Sequence, residues 1–141
     1  MSEPAMVVGA ALLHKGRLLA ARRAMPPIGW ELPGGKVEPR EHDDAAVVRE
    51  IHEELGCTVS VTGWLPGESE VRPGLVLRVA LVRLESGEPV PAEHDIVWWL
   101  RSDQLEEVEW LPPDRPFLVG LAELLRASDA GSGGHARGLA P

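Results

Sequence analysis

Apolar residues recur along this chain in two rhythms. "AMVVGAALL" (5–13) and "RLLAAR" (17–22) are short apolar runs separated by "HKG". Runs of that length around a glycine-containing turn predict two strands and a tight turn. "CTVSVTGWL" and "GLVLRVALVRL" alternate or run apolar with β-branched residues and predict further strands, with "RPG" at 72–74 as a turn between strands in that region. "HDIVWWL" (94–100) predicts another.

The second rhythm is helical. Residues 43 to 55 place Ala45, Ala46, Val47, Val48, Ile51 and Leu55 on one side, and Gly56 fits as the terminator. "SDQLEEVEW" predicts a short helical turn opening at Ser102. Residues 114 to 127 carry Phe117, Leu118, Leu121, Leu124 and Leu125 at helical spacing, which predicts an amphipathic helix facing the core. Strands mixed with one early and one terminal helix predict an α/β fold, a mixed β-sheet sandwiched between helices. Between strands and first helix, residues 23 to 39 are loop-dense in Pro and Gly yet carry Trp30, Leu32 and Val37. The last stretch, "SDAGSGGHARGLAP", is small, Gly-rich and without period. One domain over 1–127 and a disordered tail over 128–141 are expected.

Composition narrows the function classes. A net charge of −8 disfavours wrapping around a nucleic-acid polymer. No run approaches the ~20 apolar residues of a membrane span, and the N-terminus reads as a strand rather than a signal peptide. The one cysteine, Cys57, has no partner for an internal disulfide, so a reducing, cytoplasmic setting is expected. His14, His42, His52, His94 and His135 share no spacing that suits a transition metal.

One stretch resists a purely structural reading. "REIHEELG" (49–56) puts Glu50, Glu53 and Glu54 on neighbouring helical positions. Like charges at that spacing cost a helix roughly 0.2–0.5 kcal/mol per pair. Either the face is merely solvated, or a cation sits on it. The surrounding residues decide. "GKVEPREHDDAAVVREIHEELGC" has Gly35, five residues, Glu41, seven residues, then Arg49, Glu50, Ile51, Glu53, Glu54, Gly56 and Cys57. Over these 23 residues it resembles the complete Nudix box. "AARRA", "GWELPGGKVE" and "PPDRPFLVGLAELL" extend the resemblance over roughly residues 5 to 126, to the small MutT-type branch.

That resemblance implies Mg²⁺-dependent hydrolysis of a nucleoside triphosphate to the monophosphate and pyrophosphate, with Mn²⁺ as a substitute. CTP, dCTP and 8-oxo-dGTP are the expected substrates, which would make the role nucleotide-pool sanitation. Hard cations take oxygen ligands, and Glu50, Glu53 and Glu54 offer them. By the resemblance, Gly34 adds a backbone carbonyl and Glu93 approaches the metal, while Arg49 pairs with Glu41 to hold loop and helix together. Arg22, Arg23, Gly35 and Lys36 are the expected phosphate contacts. Arg22 and Arg23 read equally well as a surface pair, and Glu93 as a solvated loop acid. Asp114 is either the reader of the base edge or the cap of the terminal helix. One of Trp30, Trp98 and Trp99 is a candidate to stack a base. His42 stands where many members have Ser or Thr, so Asp43 is the candidate replacement cap.

Two rival readings remain. An ADP-ribose-type Nudix pyrophosphatase would use a proline near Pro73. A non-catalytic Nudix nucleotide-binding module usually loses box glutamates, and here all are present. The oligomer is expected to be a monomer or homodimer.

Overall fold

Strand β1 (Ala5–His14) is apolar on both sides. Val8, Ala10 and Leu12 join one buried cluster and Ala11 joins another. Successive side chains of a strand point to opposite faces, so such a strand needs cover above and below. The computed structural model describes residues 5–92 and 94–136. Along them follow β2 (Arg17–Arg23), β3 (Trp30–Glu31), β4 (Gly34–Lys36), α1 (Asp43–Leu55), β5 (Thr58–Trp64), β6 (Ser69–Arg72), β7 (Leu75–Ser86), β8 (His94–Leu100) and α2 (Leu118–Ala136). Short 3-10 segments occupy Ser102–Glu107 and Pro112–Phe117.

The sheet is mixed, as expected. β1 and β7 run parallel from Ala5↔Leu75 to Leu12↔Val82. Around that pair the chain is antiparallel, with β5 and β6 on β7, β2 and β4 on β1, and β3 and β8 on β2. One face packs Val8, Leu12, Leu19 and Val82 against Ala46, Val47, Ile51 and Leu55 of α1. The other packs Leu18, Ala20, Leu77, Val79 and Leu100 against Phe117, Leu118, Leu121 and Leu125. Each fully buried Leu or Ile contributes about 1.5–3 kcal/mol of transfer free energy, so both layers are held chiefly by burial.

The expected turns are present. Lys15 (φ 53°) and Gly16 (φ 76°) form a two-residue hairpin with left-handed backbone, and Gly74 (φ 83°) closes the β6–β7 turn. Gly56 ends α1 in the left-handed region, its N–H bonded to the His52 carbonyl. Two further carbonyls of that last turn accept from the following loop, Leu55 from Val90 and Glu54 from Ala92.

Four expectations change. The loop-dense segment 23–39 contains β3 and β4, because its backbone finds strands β2 and β1 to pair with. The terminal helix does not begin at 114. Pro112, Pro113 and Pro116 lack N–H donors, so the chain runs as a 3-10 segment through Phe117 and only then as α2. Helix α2 continues to Ala136, so residues 128–136 are helical rather than an unstructured tail. Residues 137–141 lie outside the described residues. Finally, Asp43 does not cap α1: His42 is the N-cap, without a side-chain cap bond, and the Asp43 carboxylate reaches across to Arg78.

Candidate active site

The glycine loop is glycine for a steric reason. β4 pairs antiparallel with β1 at Val8↔Gly35 and Gly9↔Gly34. A Cβ on Gly34 would collide with the Val8 carbonyl oxygen, and one on Gly35 would overlap the carboxyl group of Glu50. Helix α1 therefore lays Glu50 directly against the backbone of residue 35.

Arg49 is the hub that joins loop to helix. Its Nε donates to Glu41 Oε2 at 2.7 Å and its Nη2 to Glu41 Oε1 at 2.9 Å, a two-pronged charge-assisted contact. Nη2 also donates to the Lys36 carbonyl (3.1 Å). Nη1 donates to Glu50 (3.0 Å) and Glu53 (3.3 Å). Glu41 Oε1 in turn accepts from the Glu38 N–H at 2.9 Å. The guanidinium and that N–H together hold the Glu41 carboxyl down at about 2, and the same contact with Glu41 raises the Arg49 pKa.

Nudix hydrolases generally use divalent metal ions, and the donor chemistry here fits one. Glu50, Glu53 and Glu54 are hard oxygen donors on one helix, and the missing Cβ at Gly35 leaves room for the Glu50 carboxyl group. Glu53 is exposed and able to swing, whereas Glu54 is only 6% exposed. Among the described residues no three ligating side chains converge as they stand. Glu50 and Glu53 are both turned onto Arg49, whose single charge they share with Glu41. Residue 93 lies outside the described residues, though its neighbour Ala92 is bonded to the Glu54 carbonyl.

A cleft of about 660 Å³ opens on the opposite side of the glycine loop. Its floor is Val7, Gly9, Leu32 and Leu77 beside Gly34 and Gly35, and one wall is Leu111 to Asp114. Arg23, Glu31, Glu70 and Arg72 supply the charged rim. Of the two arginines, then, Arg23 lines the cleft and Arg22 does not. Arg23 Nε donates to the carbonyls of Met25 (3.3 Å) and Pro27 (3.1 Å), and its Nη1 lies 3.6 Å from Glu31. Lys36 is exposed at the end of β4, one residue beyond the lining. No tryptophan lines this cleft. Trp30 and Trp98 lie against each other (ring centroids 5.9 Å apart), as do Trp99 and His14 (5.8 Å).

Asp114 is not a helix cap. It sits inside the 3-10 segment, and its Oδ2 accepts from the Leu32 N–H at 2.8 Å, tying that segment to the β3–β4 connection. It is 6% exposed. Burial pushes its carboxyl up to about 7, partly opposed by the Leu32 N–H and reinforced by the nearby Glu31 charge. Sequence reasoning passed over Glu31, Glu70 and Arg72. For Glu31 a signal existed, an acid inside "GWELPGG"; the β6 residues carry none, because only the fold brings β6 over the cleft.

The NUDIX domain profile matches residues 3–130. Over 131 residues the chain is 37% identical to a Mycobacterium tuberculosis protein provisionally named 8-oxo-dGTP diphosphatase 2, covering 89% of this chain and 93% of that one. It is 29% identical to the CTP pyrophosphohydrolase of Escherichia coli K12, over 88% and 96% of the two chains. The solution structure of the E. coli ORF135 protein superposes with a TM-score of 0.74 at 29% identity, covering 89% and 93%. No described helix is long and apolar enough to cross a membrane. A profile that spans the sheet, both helical layers and the Arg49 hub shows that this chain belongs to the Nudix family and is a hydrolase of it.

Proposed function

We propose that this chain hydrolyses a nucleoside triphosphate to the monophosphate and pyrophosphate with Mg²⁺, Mn²⁺ substituting, and that CTP, dCTP or 8-oxo-dGTP is the substrate. What carries this reading is the backbone of Gly34–Gly35, with the Glu50 carboxylate against one side and a cleft holding a buried aspartate on the other. A triphosphate crossing that backbone would have its phosphates beside the glutamates and its base beside Asp114. The relatives named for 8-oxo-dGTP and CTP support the choice of substrates.

Most of the proposed roles follow from placement. Glu50, Glu53, Glu54 and the Gly34 carbonyl hold the cation, with Glu93, outside the described residues, added on the family resemblance alone. When bound, Mg²⁺ neutralises phosphate charge and activates water for in-line attack on phosphorus. Arg49 and Glu41 hold loop and helix together, and Arg49 occupies oxygens of Glu50 and Glu53 until the cation binds. Arg23 at the cleft rim and Lys36 at the end of β4 take the phosphates, with Arg22 beside them, and Gly35 lets the chain backbone approach closely. Asp114 reads the base. Once ionised, above about pH 7, its carboxylate only accepts hydrogen bonds, which suits the cytosine amine or the N2 amine of an oxidised guanine.

The test is a screen of CTP, dCTP, 8-oxo-dGTP and ADP-ribose that separates pyrophosphate from phosphate release. Metal-dependent release of pyrophosphate from a triphosphate, lost in Glu53→Gln and Glu54→Gln, is the expected result. A preference for ADP-ribose, or no turnover with any metal, would overturn the reading in favour of a pyrophosphatase of that type or a binding module.

A further inference from the structure

Helix α1 has to present its carboxylates at one axial position relative to Gly35, and its apolar face cannot fix that alone. The packing of Ala46, Val47, Ile51 and Leu55 fixes which face of the helix meets the sheet, and directional contacts then refine its axial position. The N-cap His42 contributes no side-chain bond. Directional contacts hold the helix at two places: Arg49 grips Glu41 and the Lys36 carbonyl beside Glu50, and a second set sits at the first turn. Arg78 Nη1 lies 3.3 Å from Asp43 Oδ2, and Trp64 Nε1 donates to Asp44 Oδ1 at 2.9 Å. The Arg78 guanidinium rests 4.4 Å over the Trp64 ring, which fixes its direction.

The sheet register connects this grip to the candidate active site. Val8 pairs with Gly35 on one side and with Arg78 on the other. Gly35, Val8 and Arg78 thus form one transverse row, two strand spacings or about 9.6 Å across. Both ends of the row meet α1: Gly35 meets Glu50, and Arg78 meets Asp43. Asp43 and Glu50 are seven residues apart on the helix, about 10.5 Å of rise. The two lengths match. One helix can therefore make both contacts at once, with the Arg49 grip on Glu41 and the Lys36 carbonyl at one end and the Arg78 contact at the other.

We propose that Arg78, braced by Trp64, is a positioning residue that sets the axial register of α1 and so the place of Glu50 against Gly35. The inference rests on the proposed metal role of the box glutamates for its consequence, but not for its geometry. Two measurements on the full chain separate them. In the metal-free protein, the amide NMR signal of Gly35 reports the Glu50 carboxyl group beside it. It should move in Arg78→Met and in Asp43→Asn, and move less in Arg78→Lys, which keeps a charge but not the planar fork. Titration with Mn²⁺ alone should then show affinity weakened roughly tenfold in Arg78→Met, the low end for residues that support metal ligands. The KM for nucleotide at saturating metal should stay unchanged.

A Gly35 signal that stays in place in folded Arg78→Met and Asp43→Asn overturns the proposal, whatever happens to the melting temperature. So does a rise in nucleotide KM with Mn²⁺ affinity intact, which would put Arg78 on the substrate. A wild-type protein that binds no Mn²⁺ would remove the metal reading, while the Gly35 signal would still decide the register.

Discussion

Gly35 and Glu50 touch so closely that residue 35 has no room for a side chain: a Cβ there would overlap the Glu50 carboxyl group. One is in a strand and the other on a helix fifteen positions later, so the contact locks sheet to helix where the chemistry is proposed. Gly35→Ala should push Glu50 out of place. Small-to-large changes in a packed site cost about 1–3 kcal/mol. We expect a lowered melting temperature together with loss of metal-dependent turnover. An alanine variant with wild-type kcat would show that Glu50 is not needed where it stands.

Arg49 and the cation should compete for the same oxygens, since Glu50 and Glu53 both accept from its Nη1. Arg49→Met removes charged hydrogen bonds worth roughly 1.5–3 kcal/mol and leaves Glu41, Glu50 and Glu53 repelling one another. The metal-free variant should melt lower than wild type. Added Mg²⁺ should raise its melting temperature by more than it raises that of the wild type, because binding to the folded state alone stabilises. An equal or smaller rise would mean that the guanidinium helps to build the metal site rather than standing in for the metal.

Asp114 should make stability depend on pH. Its folded pKa of about 7 is above its ordinary value of 3.8, so the folded state holds the extra proton between those limits. Stability is then greatest below about pH 4 as far as this group is concerned, and falls as pH rises towards 7. The loss is at most about 4 kcal/mol, an order-of-magnitude bound from the shift. Asn in its place can still accept from the Leu32 N–H but cannot ionise. Asp114→Asn should therefore be more stable than wild type at pH 8, with the gain shrinking towards pH 4. Denaturant titrations at both pH values check this; a gain that does not change with pH would rule out the titration.

The same residue should govern base choice. Asp114→Ala loses a charged hydrogen bond, which corresponds to about ten- to a hundredfold in kcat/KM. Asp114→Asn adds a donor, and should raise 8-oxo-dGTP relative to CTP or dCTP. If both variants leave the ratio of the two kcat/KM values unchanged, Asp114 only ties the 3-10 segment to Leu32.

Residues 129 to 141 should be dispensable. Leu125 is buried in α2, and residues 126 to 128 after it are exposed. Truncation after residue 128 should leave turnover unchanged and stability within about 0.5 kcal/mol. A fall in melting temperature beyond about 4 °C, roughly 1 kcal/mol for a domain of this size, would show that the segment docks.

Local rules determined much of this protein. The alternating runs became β1, β2, β5, β7 and β8, because a period of two buries one cluster on each face and needs nothing distant to specify it. Gly56 and Gly74 marked their turns through the left-handed backbone they adopt. The pairing of Arg49 with Glu41, implied by the family resemblance, is present, with Glu41 just ahead of the helix and Arg49 on it. Tertiary structure decided what depends on partners far along the chain. Asp114 became a tether rather than a cap because Leu32, 82 positions away, offered its N–H. Asp43 turned to Arg78, Trp30 to Trp98, and β6 closed over the cleft, each through a neighbour that no local pattern announces. Periodicity is a property of neighbouring residues, whereas a cleft belongs to strands that meet only after the sheet has formed.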